Sequence, residues 1–193
     1  MHPKTLLIAL FALGSSLPLV AKTPPEGVEL VNKFNLERYL GLWYEIARTD
    51  NRFERDLQSV TAEYSMLDDE TVRVFNRGYN TRKNKWSEVD GKGYKIGDPD
   101  EGQLKVTFFW PFYAGYNIFE LDHEGYQYAL VAGDHHGYMW ILARTPTLPQ
   151  PTLDKLLAKA EIAGFDTKEL IWVDHSTVHP SIAKQESTPP SFP

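Results

Sequence analysis

Three sets of residues in this chain carry side chains that could do chemistry. His135-His136, with His123 elsewhere, could ligate a metal. Adjacent histidines in a turn lack the i, i+4 spacing that aims two imidazoles at one ion, so they read as solvated loop residues. Asp68-Asp69-Glu70 and Asp98-x-Asp100 carry the oxygen donors calcium prefers. Both runs are short and fall in turns, where acidic side chains bond their own backbone. The third set is apolar and aromatic: Gly41-Leu42-Trp43-Tyr44-Glu45-Ile46-Ala47-Arg48, with a glycine two residues before a large indole. That spacing fits close backbone approach and a ring used as a plug, or an ordinary core tryptophan on a half-buried strand. There is no cysteine, so disulfides, thiolate metal sites and a cysteine nucleophile are excluded. Gly-x-Ser-x-Gly, a phosphate-cradling glycine loop and His-Glu-x-x-His are also missing. No metal and no cofactor is expected. The net charge of -6, without a basic block, argues against a nucleic-acid partner.

The elements that must position these residues are short strands. In 41–48, Trp43, Glu45 and Ala47 share one parity, while Tyr44 and Ile46 share the other. A charged loop around Phe53 follows, long enough to be functional. Strand-like alternation then recurs at 59–67, 71–78, 85–94, 103–108, 116–121, 126–132 and 138–144, separated by turn residues. Eight short strands with no helix between them predict an all-β fold. Consecutive hairpins favour an eight-stranded antiparallel up-and-down barrel, which leaves no unpaired edge. An interior of that size holds side chains or one small ligand. Leu153, Leu156, Leu157, Ala160 and Ala163 then recur at helical spacing, predicting one C-terminal helix over 152–163. Thr152 is its expected N-cap, Gly164 its stop, and the barrel's outer wall its packing surface. Residues 170–173 read as a last short strand, and 28–40 as a lid-like arm.

The first 21 residues read as a signal peptide. Lys4 supplies the n-region, 6–13 an apolar core too short to cross a bilayer, and Leu19-Val20-Ala21 a cleavage site. Domain organisation is then signal 1–21, barrel and helix 22–175, and a disordered tail 176–193.

Four stretches point to one family. Arg38-Tyr39-Leu40-Gly41-x-Trp43-Tyr44-Glu45-Ile46-Ala47-Arg48 comes first, then Arg52-Phe53-Glu54-Arg55. Pro111-Phe112-Tyr113-x-Gly115-Tyr116-Asn117 and Trp140-Ile141-Leu142-x-Arg144-Thr145-Pro146 follow in order. Together they resemble the lipocalin family, in particular its bacterial outer-membrane subgroup. Apolipoprotein D and plant temperature-induced lipocalins are similar. The resemblance implies that Gly41, Trp43 and Arg144 close the base of the barrel, the guanidinium lying over the indole. It also implies an apolar calyx for a fatty acid, lysophospholipid or similar amphiphile, and no enzymatic activity. Its pocket positions fall on Tyr64, Asn76, Phe108, Trp140 and Leu142. Glu45 and Ala47 are added by parity with Trp43, Ala62 as a small lining residue, and Tyr116 beside them. Asn76 either orients a ligand headgroup or satisfies backbone groups. The alternatives are an enzyme acting on a lipid, or an envelope interaction protein with a filled barrel.

Two departures bear on the setting. Ser15 stands near the place of the subgroup's lipobox cysteine, and Gly137-Tyr138 replaces the middle Thr-Asp-Tyr motif. Without a cysteine, the expected location is soluble, in the periplasm or secreted, rather than lipid-anchored. Finally, Trp110, Phe112 and Tyr113 form an aromatic run broken by Pro111, which cannot all be buried in a strand. They are expected at the rim of the open mouth, facing a bilayer or a second copy in a homodimer.

Overall fold

A computed structural model describes residues 23–179 and Ile182. The expected signal peptide lies outside these residues. Strands β1 (Gly41–Arg48), β2 (Leu57–Met66), β3 (Thr71–Asn80), β4 (Lys85–Lys95), β5 (Gln103–Phe109), β6 (Phe112–Leu121), β7 (Tyr128–Ala132) and β8 (Met139–Ala143) pair antiparallel with their sequence neighbours. Pairing of β1 with both β8 and β2 closes the barrel, so the eight-stranded up-and-down expectation holds. A two-residue strand, β9 (Ile171–Trp172), adds to the outer side of β1 beyond the point where β1 and β2 part. There the following residues bridge the gap: the Ser59 amide donates to the Asp174 carbonyl, and the Asp174 amide to the Gln58 side chain.

Two apolar clusters result. One fills the bottom of the barrel around Trp43, Tyr39, Val72, Ile118 and Val131. The other lies outside, where helix α2 (Gln150–Ile162) lays Leu156 and Ala160 against Ile46, Phe119, Leu130 and Ile141.

Several expectations need correction. Helix α2 begins two residues early, with Pro149 as N-cap and Pro151 in the first turn, where its missing N–H costs nothing. Thr152 therefore lies inside the helix and its side chain caps nothing. The arm at 28–40 is not over the mouth. It runs beneath the barrel, bonding Ile118, Gly102 and Asp100, and contains a helical turn, α1 (Leu36–Tyr39), capped by Asn35. Strand β6 starts at Phe112, so Phe109 and Phe112 pair across a two-residue turn, Trp110-Pro111. Of the expected tail, 176–193, His179 sets its ring edge-on to Trp86, and the residues from 180 on, apart from Ile182, lie outside the described residues. His136 is not a solvated loop histidine. Its Nε2 contacts the Ala163 carbonyl at 2.9 Å and its ring packs on Phe165, tying the β7–β8 hairpin to the end of α2.

The largest correction is in β1. Its pairing with β8 runs Glu45↔Leu142, then Ala47↔Ile141 and Arg48↔Trp140. The extra residue is a β-bulge, and it reverses the alternation beyond it. Ala47, expected to line the interior, packs outward with Ile141 and Leu156. Arg48 takes the inward position.

Candidate functional site

The base is built on Trp43, which is fully buried. Its Nε1 donates to the Tyr39 carbonyl at 2.7 Å. The Arg144 guanidinium lies 3.9 Å from the indole centroid, a cation–π distance. Its nitrogens donate to the carbonyls of Leu42, Arg38 and Leu40 at 2.8–2.9 Å, and to that of Tyr126. Gly41 has φ +96°, and a Cβ there would meet Arg144 Nη1 at 3.4 Å. A side chain at that position would strain the backbone and crowd the arginine.

Above this plug, Tyr64 and Tyr116 meet Tyr39 in a chain of hydroxyls at 2.7 and 2.8 Å. Burial pushes all three phenols above their ordinary pKa, so they stay neutral. A cavity of about 10 Å³ remains between them and Val72, Val74, Leu104 and Val106. That is roughly the space of one water, so the lower half is filled by protein. The upper half differs. Strand register sets Ala62 opposite Asn76, and Asn76 opposite Val89, all facing inward with Phe108, Trp140 and Leu142. Leu142 is buried, but Ala62, Asn76, Phe108 and Trp140 stay half-buried although they face the inside of a closed barrel. Val89 is 36% exposed. Gly91 makes the place that the Phe108 ring takes on this wall: a Cβ there would meet the ring at 2.6 Å. Asn76 Oδ1 is buried with no hydrogen-bond partner among the described residues.

A polar network crosses the wall near the mouth. Glu45 and Arg48 point inward and are almost completely buried, with Nη1 to Oε1 at 2.6 Å. Arg48 Nη2 donates to the carbonyls of Glu54 and Leu57 at 2.8 and 3.0 Å. Glu54 Oε2 accepts from Trp140 Nε1 at 3.0 Å. Burial, then the neighbouring Glu54, hold the Glu45 carboxyl well above its ordinary range, with Arg48 pulling it down.

At the rim, Phe109, Trp110 and Phe112 are 75–80% exposed. Tyr113 does not join them. It turns to the outer wall, its ring edge-on to Tyr94 and its face under Lys105.

The structure thus brings Glu45, Ala62, Tyr64, Asn76, Phe108, Tyr116, Trp140 and Leu142 to one interior, and leaves out Ala47. Sequence reasoning missed Arg48, Glu54, Asn51 and Tyr39. Strict alternation sends Arg48 to the outside, and only the bulge brings it in. Tyr39 sat in the stretch 28–40, read as a lid-like arm. Of the acidic candidates, Asp68 bonds the amides of Glu70 and Thr71, and Asp98 that of Asp100. Among the described residues no group of three or more His, Cys, Asp or Glu could hold a metal.

A closed antiparallel barrel, plugged at one end, with an apolar inner face and a mouth whose walls solvent reaches, defines a calyx-type β-barrel protein. A lipocalin-like domain model matches residues 34–175, and the chain belongs to the lipocalin family. The outer membrane lipoprotein Blc of Escherichia coli (strain K12) is 48% identical over 171 residues, covering 86% of this chain and 96% of that protein. Temperature-induced lipocalin-1 of Arabidopsis thaliana is 32% identical over 178 residues, covering 87% and 91%. Among solved structures, lobster apocrustacyanin A1 superposes with a TM-score of 0.63 at 24% identity, covering 79% of this chain and 86% of that one. At that identity the likeness speaks for the fold. No helix among the described residues is long and apolar enough to cross a membrane.

Proposed function

We propose that the barrel binds one elongated amphiphile, a fatty acid or lysophospholipid, and carries or stores it in the cell envelope. The acyl chain lies beside Tyr64, Phe108 and Trp140, with the polar end toward the mouth. One observation carries this reading: Ala62, Asn76, Phe108 and Trp140 face inward yet remain partly exposed. A barrel filled by its own side chains would bury them. Asn76 Oδ1, which lacks a protein partner among the described residues, suits the free hydroxyl of a lysophospholipid, since an ionised fatty-acid carboxylate cannot donate. An acyl chain gains about 0.8 kcal/mol for each methylene withdrawn from water, which is ample for micromolar binding. The relatives named as outer membrane lipoproteins support an envelope setting. These 193 residues hold no cysteine to carry an acyl anchor, so the mature protein is expected in soluble periplasmic or secreted fractions, unacylated by intact mass.

Native mass spectrometry with lipid identification tests the ligand. A filled-barrel interaction protein would yield no bound lipid. Turnover of a lipid ester by purified protein would instead support an enzyme. Ala62→Phe places a ring in the open half and is expected to weaken fatty-acid binding at least tenfold; normal folding with unchanged binding overturns the assignment of that face. The rim carried by Trp110 and Phe112 is proposed to rest on a bilayer interface, where amphipathic rings are favoured. A homodimer formed through the same rim is the other outcome of vesicle-transfer and oligomer measurements on rim variants.

A further inference from the structure

The barrel wall is not continuous at the mouth. Strands β3 and β4 pair without a break from Thr71↔Tyr94 up to Asn80↔Lys85. On its other side β4 pairs with β5 only from Lys95↔Leu104 to Lys92↔Thr107. Above that point β5 turns at Trp110-Pro111 into β6, where Phe109 pairs with Phe112. Residues 85–91 of β4 therefore have a strand on one side and, among the described residues, none on the other. An edge of that length is on the order of 20 Å. Val89, its partner Asn76 and Phe108 are the inner residues that border the opening, and all three keep contact with solvent. Half a turn round the eight strands, the β8–β1 side is tied down. There Arg48 Nη2 donates to the Glu54 and Leu57 carbonyls, and Trp140 Nε1 to Glu54 Oε2.

The two banks of this opening differ in chemistry. On the β5 side the turn exposes Phe109, Trp110 and Phe112. On the β4 side the β3–β4 tip exposes Arg82, Lys83 and Lys85, with Asp56 3.4 Å from Arg82. The other end of the barrel has the opposite sign. Its hairpin loops, 67–70, 96–102 and 122–127, hold eight acidic residues and no Lys or Arg. Arg38 and Lys95 reach in from outside them to bond their carbonyls. A charge distribution of this kind turns the mouth toward a negative surface and the base away from it. Exposed aromatic rings beside cations suit a bilayer interface made of anionic lipid. We propose that the gap between β4 and β5 is a side door. The protein docks on a negatively charged bilayer with the Trp110-Pro111 turn in the interface and the β3–β4 tip on the headgroups, and an acyl chain passes into the calyx between Val89 and Phe108. Sideways entry spares the chain a passage through water, where each methylene is costly, and leaves the polar end at the wet rim. The unpaired main-chain groups of 85–91 need hydrogen-bond partners, and water and headgroups supply them at such a surface.

The door rests on the reading that the calyx takes an acyl chain, and the amount bound and the rate of uptake test the two separately. Both are read from the fluorescence of cis-parinaric acid presented in vesicles. At low salt, uptake from phosphatidylglycerol vesicles is expected to be about tenfold faster than from phosphatidylcholine vesicles. That ratio should fall toward one at high salt and when Lys83→Glu and Lys85→Glu are combined. The chain has no cysteine, so Asp90→Cys and Phe109→Cys, two steps up the ladder from Lys92↔Thr107, can be bridged by a short bis-maleimide. The bridged protein is expected to take up the acid at least about tenfold more slowly than the same variant capped with N-ethylmaleimide, because entry then needs a rearrangement of the wall. The final amount bound should be the same. Equal rates in bridged and capped protein, with normal amounts bound, overturn the door and leave the calyx standing. Equal uptake from the two kinds of vesicle overturns the door as well. Bridging between two molecules, seen as a doubled mass, would show a second copy on this edge and also overturns it. If no form of the protein binds the acid from any vesicle, the calyx reading falls and the door with it.

Discussion

The two ends of the barrel each hold an arginine, half-buried Arg144 at the base and buried Arg48 at the mouth, and they use it differently. At the base, Arg144 donates to backbone carbonyls and lies on the Trp43 ring, with no carboxylate among its hydrogen-bond partners. Nothing there titrates in the ordinary range, because carbonyls and indoles do not exchange protons. At the mouth, Arg48 is held by a carboxyl and by carbonyls of the β1–β2 loop. One guanidinium is held by neutral acceptors, the other partly by a carboxyl whose pKa burial raises.

The comparison can be broken at the base first. Trp43→Ala deletes the largest fully buried side chain and is expected to cost about 3–5 kcal/mol in denaturant unfolding. A wild-type unfolding midpoint would refute the plug. Arg144→Ala leaves the indole in place and removes charged hydrogen bonds to the carbonyls. The expected loss is about 2 kcal/mol, with no change in the pH dependence of melting.

At the mouth the effect is smaller and depends on pH. The folded-state pKa of Glu45 is raised, so the folded protein holds its proton more tightly than the unfolded chain. The associated stability is complete below the ordinary carboxylate pKa and is lost as pH rises through the raised value, by at most about 1.4 kcal/mol per pH unit. Melting temperature measured against pH should therefore fall across that window in the wild type and flatten in Glu45→Gln. An identical slope in the variant would place the titrating group elsewhere.

The rim should matter least for stability. Changing Trp110 and Phe112 to Ser touches side chains that are 80% and 77% exposed, so stability should move by less than about 0.5 kcal/mol. Lipid transfer from vesicles should slow, or a dimer should become a monomer. A large loss of stability with transfer and oligomeric state unchanged would show that the rim is a structural part of the barrel.

Much of the fold was legible because its causes are local. Alternation marks strands, turn residues separate them, and the 3.6-residue stripe of Leu156 and Ala160 marks the helix. Trp43 and Arg144 were legible as a pair through their motifs. Element ends were less so. Thr152 has the side chain of an N-cap, yet Pro149 holds that position, three residues earlier. Tyr113 shares a run with Trp110 and Phe112, but β6 has already begun there and its pleat turns Tyr113 outward.

The sequence by itself determined the run of short strands and the C-terminal helix. Each follows from spacing within one segment. Only the tertiary structure decided which residues of β1 face the barrel interior. The bulge between Glu45 and Ala47 arises from how β1 must register against β8. That pairing joins residues about a hundred positions apart, and no local pattern encodes it. It sends Ala47 out under the helix and brings Arg48 in beside Glu45, and with it the charge of the mouth.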